Sequence, residues 1–235
     1  MSKINDLSTP WRWPKDSISG SVARMTIDNV ESGESGKQSR LPGVFLLNEF
    51  ADVDKLMPRI GEISAVSPFR NMTTPWGGKM SAAMTNCGSL GWIADRRGYR
   101  YSDEDPLTGR GWPVMPDNFF VLARTAANLC GFEDFSPDAC LLNRYAPGAG
   151  MGAHQVKDEQ DFSQPIVSVS LGLSAIFLFY GETRTGAPLR IPLKDGDVLV
   201  FGGPARRAYH GIRKLRKSPT EAGNYRFNLT FRRAR

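Results

Sequence analysis

Apolar side chains in residues 50–67 recur at the spacing of one face of a helix. Leu56, Ile60 and Ile63 lie four and then three positions apart, so they project from the same side of a helix. Pro58 would either sit early in this helix or kink it, because proline lacks the amide hydrogen of the helical ladder. The pattern predicts an amphipathic helix.

A second helix is predicted in the stretch "MPDNFFVLARTAANLCGF", which begins at Met115. Pro116 and Asp117 are typical of a helix start, and Gly131 is typical of the position just past a helix end. The apolar side chains between them follow a period of about 3.6 residues. They are Phe119, Phe120, Ala123, Ala127 and Cys130.

After residue 138 the pattern changes to short apolar or alternating runs separated by glycine, proline and aspartate. Such runs are typical of strands in a sandwich or barrel. They read "ACLLNRYA", "IVSVSLGLSAIFLFYG", "LRIPL", "GDVLVFGG" and "YRFNLTFRR". Two helices followed by many strands, without strand–helix alternation, predict an α+β protein that is mainly β, with an antiparallel core.

Residues 1–42 follow neither period. The stretch "VESGESGKQSR" is rich in small and charged residues, which predicts an irregular arm with few ordered contacts. We therefore divide the chain into this arm, an N-terminal extension over residues 43–138 and a strand-rich core over residues 139–235. The extension and the core are expected to form one compact domain.

The composition narrows the class of protein. Apolar residues make up 40% of the 235 and charged residues 23%, which is ordinary for a globular chain and excludes a disordered one. No apolar run is long enough to cross a membrane, and the N-terminus lacks the apolar block of a signal peptide, so we expect a cytoplasmic protein. The three cysteines form no CxxC pair and are expected to stay reduced. The net charge of +6 favours a polyanionic partner.

The chain contains two histidines, His154 and His210, and each lies at the edge of a predicted strand. A single histidine is more often a structural residue than a metal ligand. Two imidazoles about fifty residues apart are, however, what a β barrel offers a metal where two strands meet at its mouth. The pair is a candidate metal site, and the alternative is that both histidines are structural.

The last predicted strand separates an apolar face from a polar one, because alternate side chains of a strand project to opposite sides. The apolar set is Tyr225, Phe227, Leu229 and Phe231, and the polar set is Arg226, Asn228, Thr230 and Arg232. If the polar face lines a pocket, Arg226 and Arg232 can hold the two ends of a small dicarboxylate by paired hydrogen bonds. The alternative is a surface strand with a solvated basic face.

Aromatic and basic residues are interleaved in the stretch "GWIADRRGYRYS", residues 91–102. Trp92, Tyr99 and Tyr101 offer stacking surfaces for an unstacked base, and the arginines between them offer phosphate contacts. The alternative is a polar hairpin with exposed aromatic side chains. The run "RKLRK" at residues 213–217 is interpreted as a solvated loop that adds to the same positive field.

Five motifs occur in a fixed order along residues 43–233: "SPFRNMTTPWGGKMSAAMTNCGSLGW", "DACLLNRYAPGAGMGAHQVKDE", "PIVSVSLGLSAIF", "YHGI" and "RFNLTFR". Together they resemble the AlkB family of iron(II)- and 2-oxoglutarate-dependent dioxygenases, which repair alkylated bases in DNA and RNA. The resemblance implies a double-stranded β-helix, or jelly roll, with an N-terminal lid that recognises the nucleotide.

The resemblance also implies roles for individual residues. His154 and His210 match the two iron-binding histidines of the family. Two further sets match residues that bind 2-oxoglutarate and residues that bind the alkylated base. The 2-oxoglutarate set is Asn143, Tyr145, Arg226, Asn228 and Arg232, and the base-binding set is Met84, Trp92, Tyr99, Asp158 and Arg184.

The implied reaction uses iron(II), 2-oxoglutarate and O₂ to hydroxylate an N-methyl group of a base such as 1-methyladenine or 3-methylcytosine. The product then loses formaldehyde, and the cosubstrate leaves as succinate and CO₂. The resemblance implies that the protein flips the base out of the stack and excludes water from the site of reaction. The implied partner is alkylated single-stranded DNA, with duplex DNA or RNA also open, and the chain is expected to act as a monomer.

Position 156 departs from the family pattern. The family has His-x-Asp where this chain has His154, Gln155 and Val156. Valine supplies neither the charge nor the oxygen of a carboxylate, and its bulk disfavours water or chloride as a substitute ligand. Asp158 lies too far along the strand to replace it, and Glu159 is expected to point elsewhere. We therefore expect metal affinity and turnover to fall by orders of magnitude.

These observations support three hypotheses. The first is a demethylase of alkylated nucleic acid whose activity is reduced or lost because of Val156. The second is a noncatalytic binder of single-stranded or damaged nucleic acid that uses Trp92, Tyr99 and the basic lid. The third is an oxygenase that acts on protein or on a small molecule.

Overall fold

The structure is a computed structural model that describes residues 27–32, 39–216, 221 and 223–235. The α-helices in this part of the chain are α1 (Val53–Val66) and α2 (Asp117–Leu129). The β-strands are β1 (Ile27–Ser32), β2 (Ser39–Leu47), β3 (Ala83–Gly88), β4 (Gly91–Asp95), β5 (Gly98–Ser102), β6 (Glu104–Asp105), β7 (Arg110–Gly111), β8 (Ala139–Tyr145), β9 (Met151–His154), β10 (Ile166–Gly172), β11 (Ala175–Gly181), β12 (Leu189–Leu193), β13 (Val198–Phe201), β14 (Tyr209–Ile212) and β15 (Arg226–Arg232).

Two antiparallel sheets build the core. The major sheet has seven strands in the order β1-β2-β13-β10-β15-β8-β3, and the minor sheet has four in the order β12-β11-β14-β9. Strands that are distant in sequence lie side by side in both sheets, as expected for a double-stranded β-helix. The remaining strands form two small hairpins, β4–β5 and β6–β7. The expected mainly-β jelly roll is confirmed.

The major sheet is buried on both faces. One face meets the minor sheet across an apolar cluster that includes Leu141, Ile166 and Phe201. The other face meets α1 and α2 across a second cluster that includes Phe119 and Leu229. Strand β15 therefore sends one set of side chains toward the helices and the other into the space between the sheets, as its alternation predicts.

Both predicted helices are confirmed. Asp52 caps the N-terminus of α1, where its side chain accepts a hydrogen bond from the Lys55 amide. Pro58 lies inside α1, and the helix continues past it to Val66. The three predicted apolar residues of α1 are buried, so packing against the major sheet supports the helix around the proline. Helix α2 begins after Pro116 and ends before Gly131, which has a φ of 86°.

The N-terminal arm needs a correction. Residues 27–32 and 39–42 belong to β1 and β2, although we expected residues 1–42 to be irregular. Strand β1 pairs with β2 in antiparallel register with a bulge near Asn29, and β2 pairs with β13. The partner of β2 in the core, β13, lies more than 150 residues further along the chain, so the local sequence pattern does not reveal this pairing. The rest of the arm, residues 1–26 and 33–38, lies outside the described residues.

No helix in the described part of the chain has both the length and the apolar character needed to cross a membrane. The three cysteines, Cys87, Cys130 and Cys140, are free thiols and are buried. Burial raises the pKa of Cys130 to about 12, so this thiol stays protonated at neutral pH.

Candidate active site

The two histidines lie side by side in the minor sheet. His154 is the last residue of β9, His210 belongs to β14, and the two are directly paired across these strands. Their ring centroids are 4.6 Å apart. The Nδ1 of His154 lies 3.0 Å from the Gly152 carbonyl, and the Nδ1 of His210 lies 2.9 Å from the Ala208 carbonyl. An Nδ1–H that donates to a carbonyl leaves the lone pair of Nε2 available to a metal.

Both imidazoles are held in the neutral form that metal ligation requires. Burial lowers the pKa of His154 below its ordinary value. Burial also lowers the pKa of His210, and the neighbouring His154 lowers it further, so that it falls well below the usual range. These two donors suit a divalent metal such as iron(II).

Within the described residues, no third protein ligand accompanies the two histidines. In the part of the chain that the structure describes, no three His, Cys, Asp or Glu residues are grouped so that they could hold a metal ion. Val156 is buried and lines the same cavity as both histidines, and its carbonyl accepts a hydrogen bond of 2.8 Å from Nη1 of Arg206. The iron site therefore fits the family only in part: the histidines are present and the carboxylate is absent.

The neighbouring acids are engaged elsewhere, as expected. Asp158 accepts a hydrogen bond of 2.7 Å from Nε1 of Trp92. Glu159 accepts hydrogen bonds from Tyr101 and Arg206. Neither carboxylate is placed to complete the site.

A cavity of about 630 Å³ brings the predicted site residues together. It is lined by both histidines, Val156, most of the 2-oxoglutarate set and the whole base-binding set. Arg226 is the exception, because its side chain lies behind the lining, with its guanidinium carbon 5.3 Å from the centre of the Tyr145 ring. The predicted residues that line the cavity are Met84, Trp92, Tyr99, Asn143, Tyr145, His154, Val156, Asp158, Arg184, His210, Asn228 and Arg232.

The polar face of β15 is buried against β8 and β10 rather than solvated. Arg226 pairs with Tyr145, and Asn228 pairs with Asn143, across β15 and β8. The Asn228 amide donates to the Ser168 hydroxyl at 2.8 Å. These contacts rule out the alternative of a surface strand with a solvated basic face.

Several buried polar atoms on this face and on the neighbouring β8 have no hydrogen-bond partner among the described residues. They are Nε and Nη1 of Arg226, Nε of Arg232 and Oδ1 of Asn143. Arg226 is fully buried, and its Nη2 donates a hydrogen bond of 3.0 Å to the Ser170 hydroxyl. Burial lowers the pKa of Arg226 to about 10, which still leaves it charged at pH 7. Unpaired donors on a buried cation fit a carboxylate ligand, so the residues present fit 2-oxoglutarate.

The hairpin β4–β5 carries the aromatic part of the lid. Trp92 and Tyr99 stack with ring centroids 5.5 Å apart and planes inclined by 13°. Asp95 and Arg100 close the hairpin with an ion pair of 2.7 Å. The two sequence interpretations are thus compatible, because the polar hairpin places its aromatic pair at the wall of the cavity.

Sequence reasoning missed a buried network behind the site. Glu159 accepts a hydrogen bond from Tyr101 and forms an ion pair of 3.1 Å with Arg206. Arg232 lies 3.8 Å from the same carboxylate and donates to the Tyr101 hydroxyl at 3.1 Å. In the sequence, Glu159 is visible as the second acid of "VKDE", just after the histidine motif. Its partners could not be identified from neighbouring residues because they lie far away along the chain. The network holds Arg232 in place from the side opposite the cavity.

We expect the substitution Glu159→Gln to lower the free energy of unfolding by about 3 kcal/mol at pH 7, because it leaves two buried arginines without a counterion. Burial alone would raise the pKa of Glu159, but Arg232, Tyr101 and Arg206 lower it below its ordinary value. The ionised carboxylate therefore stabilises the fold above about pH 4.5, and this contribution is lost as the pH falls through the folded-state pKa.

Urea unfolding of both forms between pH 3 and pH 7 measures this effect. The difference between the two forms should shrink as the pH drops, and a difference that does not depend on pH would contradict the assignment. Glu62→Gln is the matched control, because the Glu62–Arg59 pair is exposed and is expected to contribute less than about 1 kcal/mol.

The fold and the site define the class of the protein. Residues 43–232 match the model of the 2OG-Fe(II) oxygenase superfamily, and the chain belongs to that superfamily. It shares 50% identity with the alpha-ketoglutarate-dependent dioxygenase AlkB of Salmonella typhimurium, over 82% of this chain and 91% of that protein. The enzyme of the same name from Escherichia coli is 47% identical, over 88% and 98%. Within the superfamily, the chain is a member of the AlkB family.

A solved structure agrees with this assignment. The structure of OsALKBH1 aligns with a TM-score of 0.71 and 29% identity, over 83% of this chain and 98% of that one. The human relative named nucleic acid dioxygenase ALKBH1 is 33% identical over 54% of this chain. The chain is thus an Fe(II)- and 2-oxoglutarate-dependent dioxygenase by family, and the expected cofactors follow from that family.

Proposed function

We propose that this chain oxidatively demethylates N-alkylated bases in nucleic acid, and that Val156 reduces or abolishes this activity. One observation carries the proposal. A single cavity of about 630 Å³ is lined both by the paired histidines and by the stacked Trp92 and Tyr99. A metal-binding pair and a base-stacking pair in one cavity suit chemistry on a flipped-out base.

The polar face of β15 would hold the cosubstrate. Arg226 and Arg232 present buried, unpaired N–H groups that suit the two carboxylates of 2-oxoglutarate. Asn143 and Tyr145 lie opposite Asn228 and Arg226 on β8, where they would contact the same ligand. If bound together with iron(II), O₂ would serve as the oxidant for hydroxylation, and 2-oxoglutarate would supply two electrons as it is oxidised to succinate and CO₂.

The lid would hold the base. Trp92 and Tyr99 offer an aromatic surface for stacking, and Asp158 is fixed beside them by the Trp92 indole. The Asp158 carboxylate can accept a hydrogen bond from the exocyclic amine of an adenine or cytosine. Met84 contributes apolar wall to the cavity, and Arg184 contributes an exposed cation at its rim. These residues position the methyl group, and the surrounding apolar side chains exclude water.

The partner would be alkylated single-stranded DNA, with RNA and duplex DNA as further substrates. The exposed cations Lys79, Lys157 and Arg184 line the cavity and favour a phosphate backbone at its mouth. We further propose that the chain acts as a monomer. The free, buried thiols are compatible with a cytoplasmic location.

The proposal is tested by formaldehyde release from a single-stranded oligonucleotide that carries 1-methyladenine, in the presence of iron(II), 2-oxoglutarate and O₂. The chain is compared with its Val156→Asp form, and an unmethylated oligonucleotide is the substrate control. The proposal is supported if the aspartate form releases formaldehyde from the methylated strand and releases none from the unmethylated strand. Absence of release by both forms, with intact folding and metal loading, would refute it.

A second candidate function is noncatalytic binding of single-stranded or damaged nucleic acid. The observation that favours it is the combination of an intact aromatic lid with an incomplete metal ligand set. In that case the chain would bind methylated strands without turning them over. The formaldehyde measurement on the unaltered chain separates the two functions.

Both functions predict that Trp92→Ala weakens binding of a methylated strand, because the base loses a stacking partner. The expected loss is about 1 to 3 kcal/mol, or roughly 5- to 150-fold in Kd. Trp92→Phe is the matched control, since it keeps an aromatic ring but loses the hydrogen bond to Asp158. Fluorescence anisotropy with labelled oligonucleotides measures both variants. Equal affinity of the alanine form and the unaltered chain would show that the base binds elsewhere.

A further inference from the structure

A second concavity of about 450 Å³ lies at one end of the minor sheet, apart from the histidine cavity. Its floor is apolar and includes Ala175, Leu193 and Leu215, all of which are buried. The end of β12 forms one side of it, and the segment that follows β14 forms the other. We name this concavity the basic groove, after the charged residues at its rim.

Four exposed cations surround the basic groove: Lys194, Arg213, Lys214 and Arg216. The ion pairs found within the described residues involve none of these four side chains. One acid lines the groove, Glu221, and its carboxylate accepts a hydrogen bond of 2.7 Å from the Ser174 amide. Positive charge therefore dominates the rim.

A thin wall separates the basic groove from the histidine cavity. The Leu215 amide donates to the Ala149 carbonyl at 2.8 Å, and the Gly148 amide donates to the Leu215 carbonyl at 2.9 Å. Gly150 lines the histidine cavity, and a Cβ atom added to it would lie 2.9 Å from the Lys214 nitrogen. Only glycine permits this close approach, so the backbone that carries Lys214 lies directly behind the cavity wall.

We propose that the basic groove binds the phosphodiester backbone of the nucleic acid, beyond the nucleotide whose base occupies the histidine cavity. This inference rests on the proposed function. Exposed lysine and arginine side chains gain affinity for a phosphate backbone by releasing its counterions. Exposed cations line both concavities, Lys79, Lys157 and Arg184 at the cavity and four others at the basic groove, and the thin wall between the concavities brings the two sets into one region of the molecule.

The test uses the full chain and a triple variant, Arg213→Gln, Lys214→Gln and Arg216→Gln, in which the three changed side chains are exposed. The charge-matched control is Lys55→Gln, Arg59→Gln and Arg124→Gln. These residues belong to α1 and α2, on the opposite side of the major sheet from the minor sheet. Fluorescence anisotropy gives Kd at several salt concentrations for a methylated trinucleotide, a methylated 15-mer and an unmethylated 15-mer.

We expect the groove variant to bind both 15-mers at least about tenfold more weakly at low salt. The slope of log affinity against log salt should become shallower by about 2. Each phosphate contact of a single strand contributes about 0.7 to this slope, and the variant removes three cations. Trinucleotide binding should not change, because a trinucleotide reaches only the histidine cavity. The control variant should retain the affinity and the slope of the unaltered chain.

Three results would overturn the proposal. An equal loss in the control variant would mean that only net charge matters. A loss of trinucleotide affinity would place the effect in the histidine cavity. Unchanged binding of the 15-mers, with loss of binding to polyglutamate, would reassign the groove to an acidic protein segment. The unmethylated 15-mer tests the groove separately from the proposed function. Groove binding needs no methylated base, so a weaker affinity of the groove variant for this strand would support the groove even if no demethylation occurs.

Discussion

Val156→Asp will raise the affinity for iron(II) by at least about 100-fold and raise turnover accordingly. Loss of a residue that only hydrogen-bonds to a metal ligand already lowers metal affinity by about 10- to 100-fold. Here a residue that would bind the metal directly is lacking. Val156 lines the cavity beside both histidines, and Arg206 holds its carbonyl, so the side chain at this position faces the histidine site. A carboxylate there would add a negative oxygen to two neutral imidazoles.

Two measurements examine this result. Anaerobic calorimetry gives the iron(II) affinity, and thermal unfolding gives the stability with and without metal. A buried carboxylate without metal is destabilising, so the aspartate form should unfold at a lower temperature than the unaltered chain and recover when iron(II) binds. Val156→Asn is the matched control, because it offers an oxygen of similar placement without the charge. Equal iron(II) affinity in all three forms would show that another group completes the site.

Arg226→Met will weaken binding of 2-oxoglutarate while it stabilises the protein without ligand. Arg226 is fully buried, and two of its nitrogens have no hydrogen-bond partner. Removing one partner of a buried, hydrogen-bonded charge pair costs about 2 to 5 kcal/mol of binding, or roughly 30- to 5000-fold. In the absence of ligand, the same substitution removes an isolated buried charge, so the free energy of unfolding should rise by at least about 1 kcal/mol.

Arg206→Met is the matched control for this prediction. Arg206 is as deeply buried as Arg226, but it is paired with Glu159 at 3.1 Å. Its loss breaks the closer of the two ion pairs of Glu159 and removes the donor to the Val156 carbonyl, so the free energy of unfolding should fall by about 3 kcal/mol. Calorimetry with 2-oxoglutarate and urea unfolding separate the two arginines. If Arg226→Met destabilised the protein as strongly as Arg206→Met, the assignment of Arg226 to the cosubstrate would have to be abandoned.

Local patterns in the sequence predicted both helices and the strand-rich region after residue 138, whereas the jelly roll was implied by the family resemblance. The period of α2, its Pro116 start and its Gly131 end are short-range features, and the structure reproduces them. The alternation along β15 likewise predicted which residues share an apolar face and which share a polar one, and the structure packs the apolar face against the helices. Both features depend only on neighbours along the chain.

Features that depend on distant partners were not predictable in this way. Strands β1 and β2 have little pattern of their own, and they form because β2 pairs with β13. Glu159 is buried among Tyr101, Arg206 and Arg232, which come from three other regions of the chain. The basic groove depends on β12 and the segment after β14 meeting in space, whereas the sequence indicated only a solvated basic loop.

The two-sided burial of β15 gives this strand two kinds of mutational sensitivity that alternate along its length. Phe227, Leu229 and Phe231 pack against the helical layer, so changes at these positions reduce the amount of folded protein. Asn228 and Thr230 face the cavity, so we expect changes there to impair function more than stability. Under selection, variants at neighbouring positions of β15 would therefore be removed for different reasons. Variants on the helix-facing side would be removed because the chain is degraded, and variants on the cavity side because the folded protein is inactive.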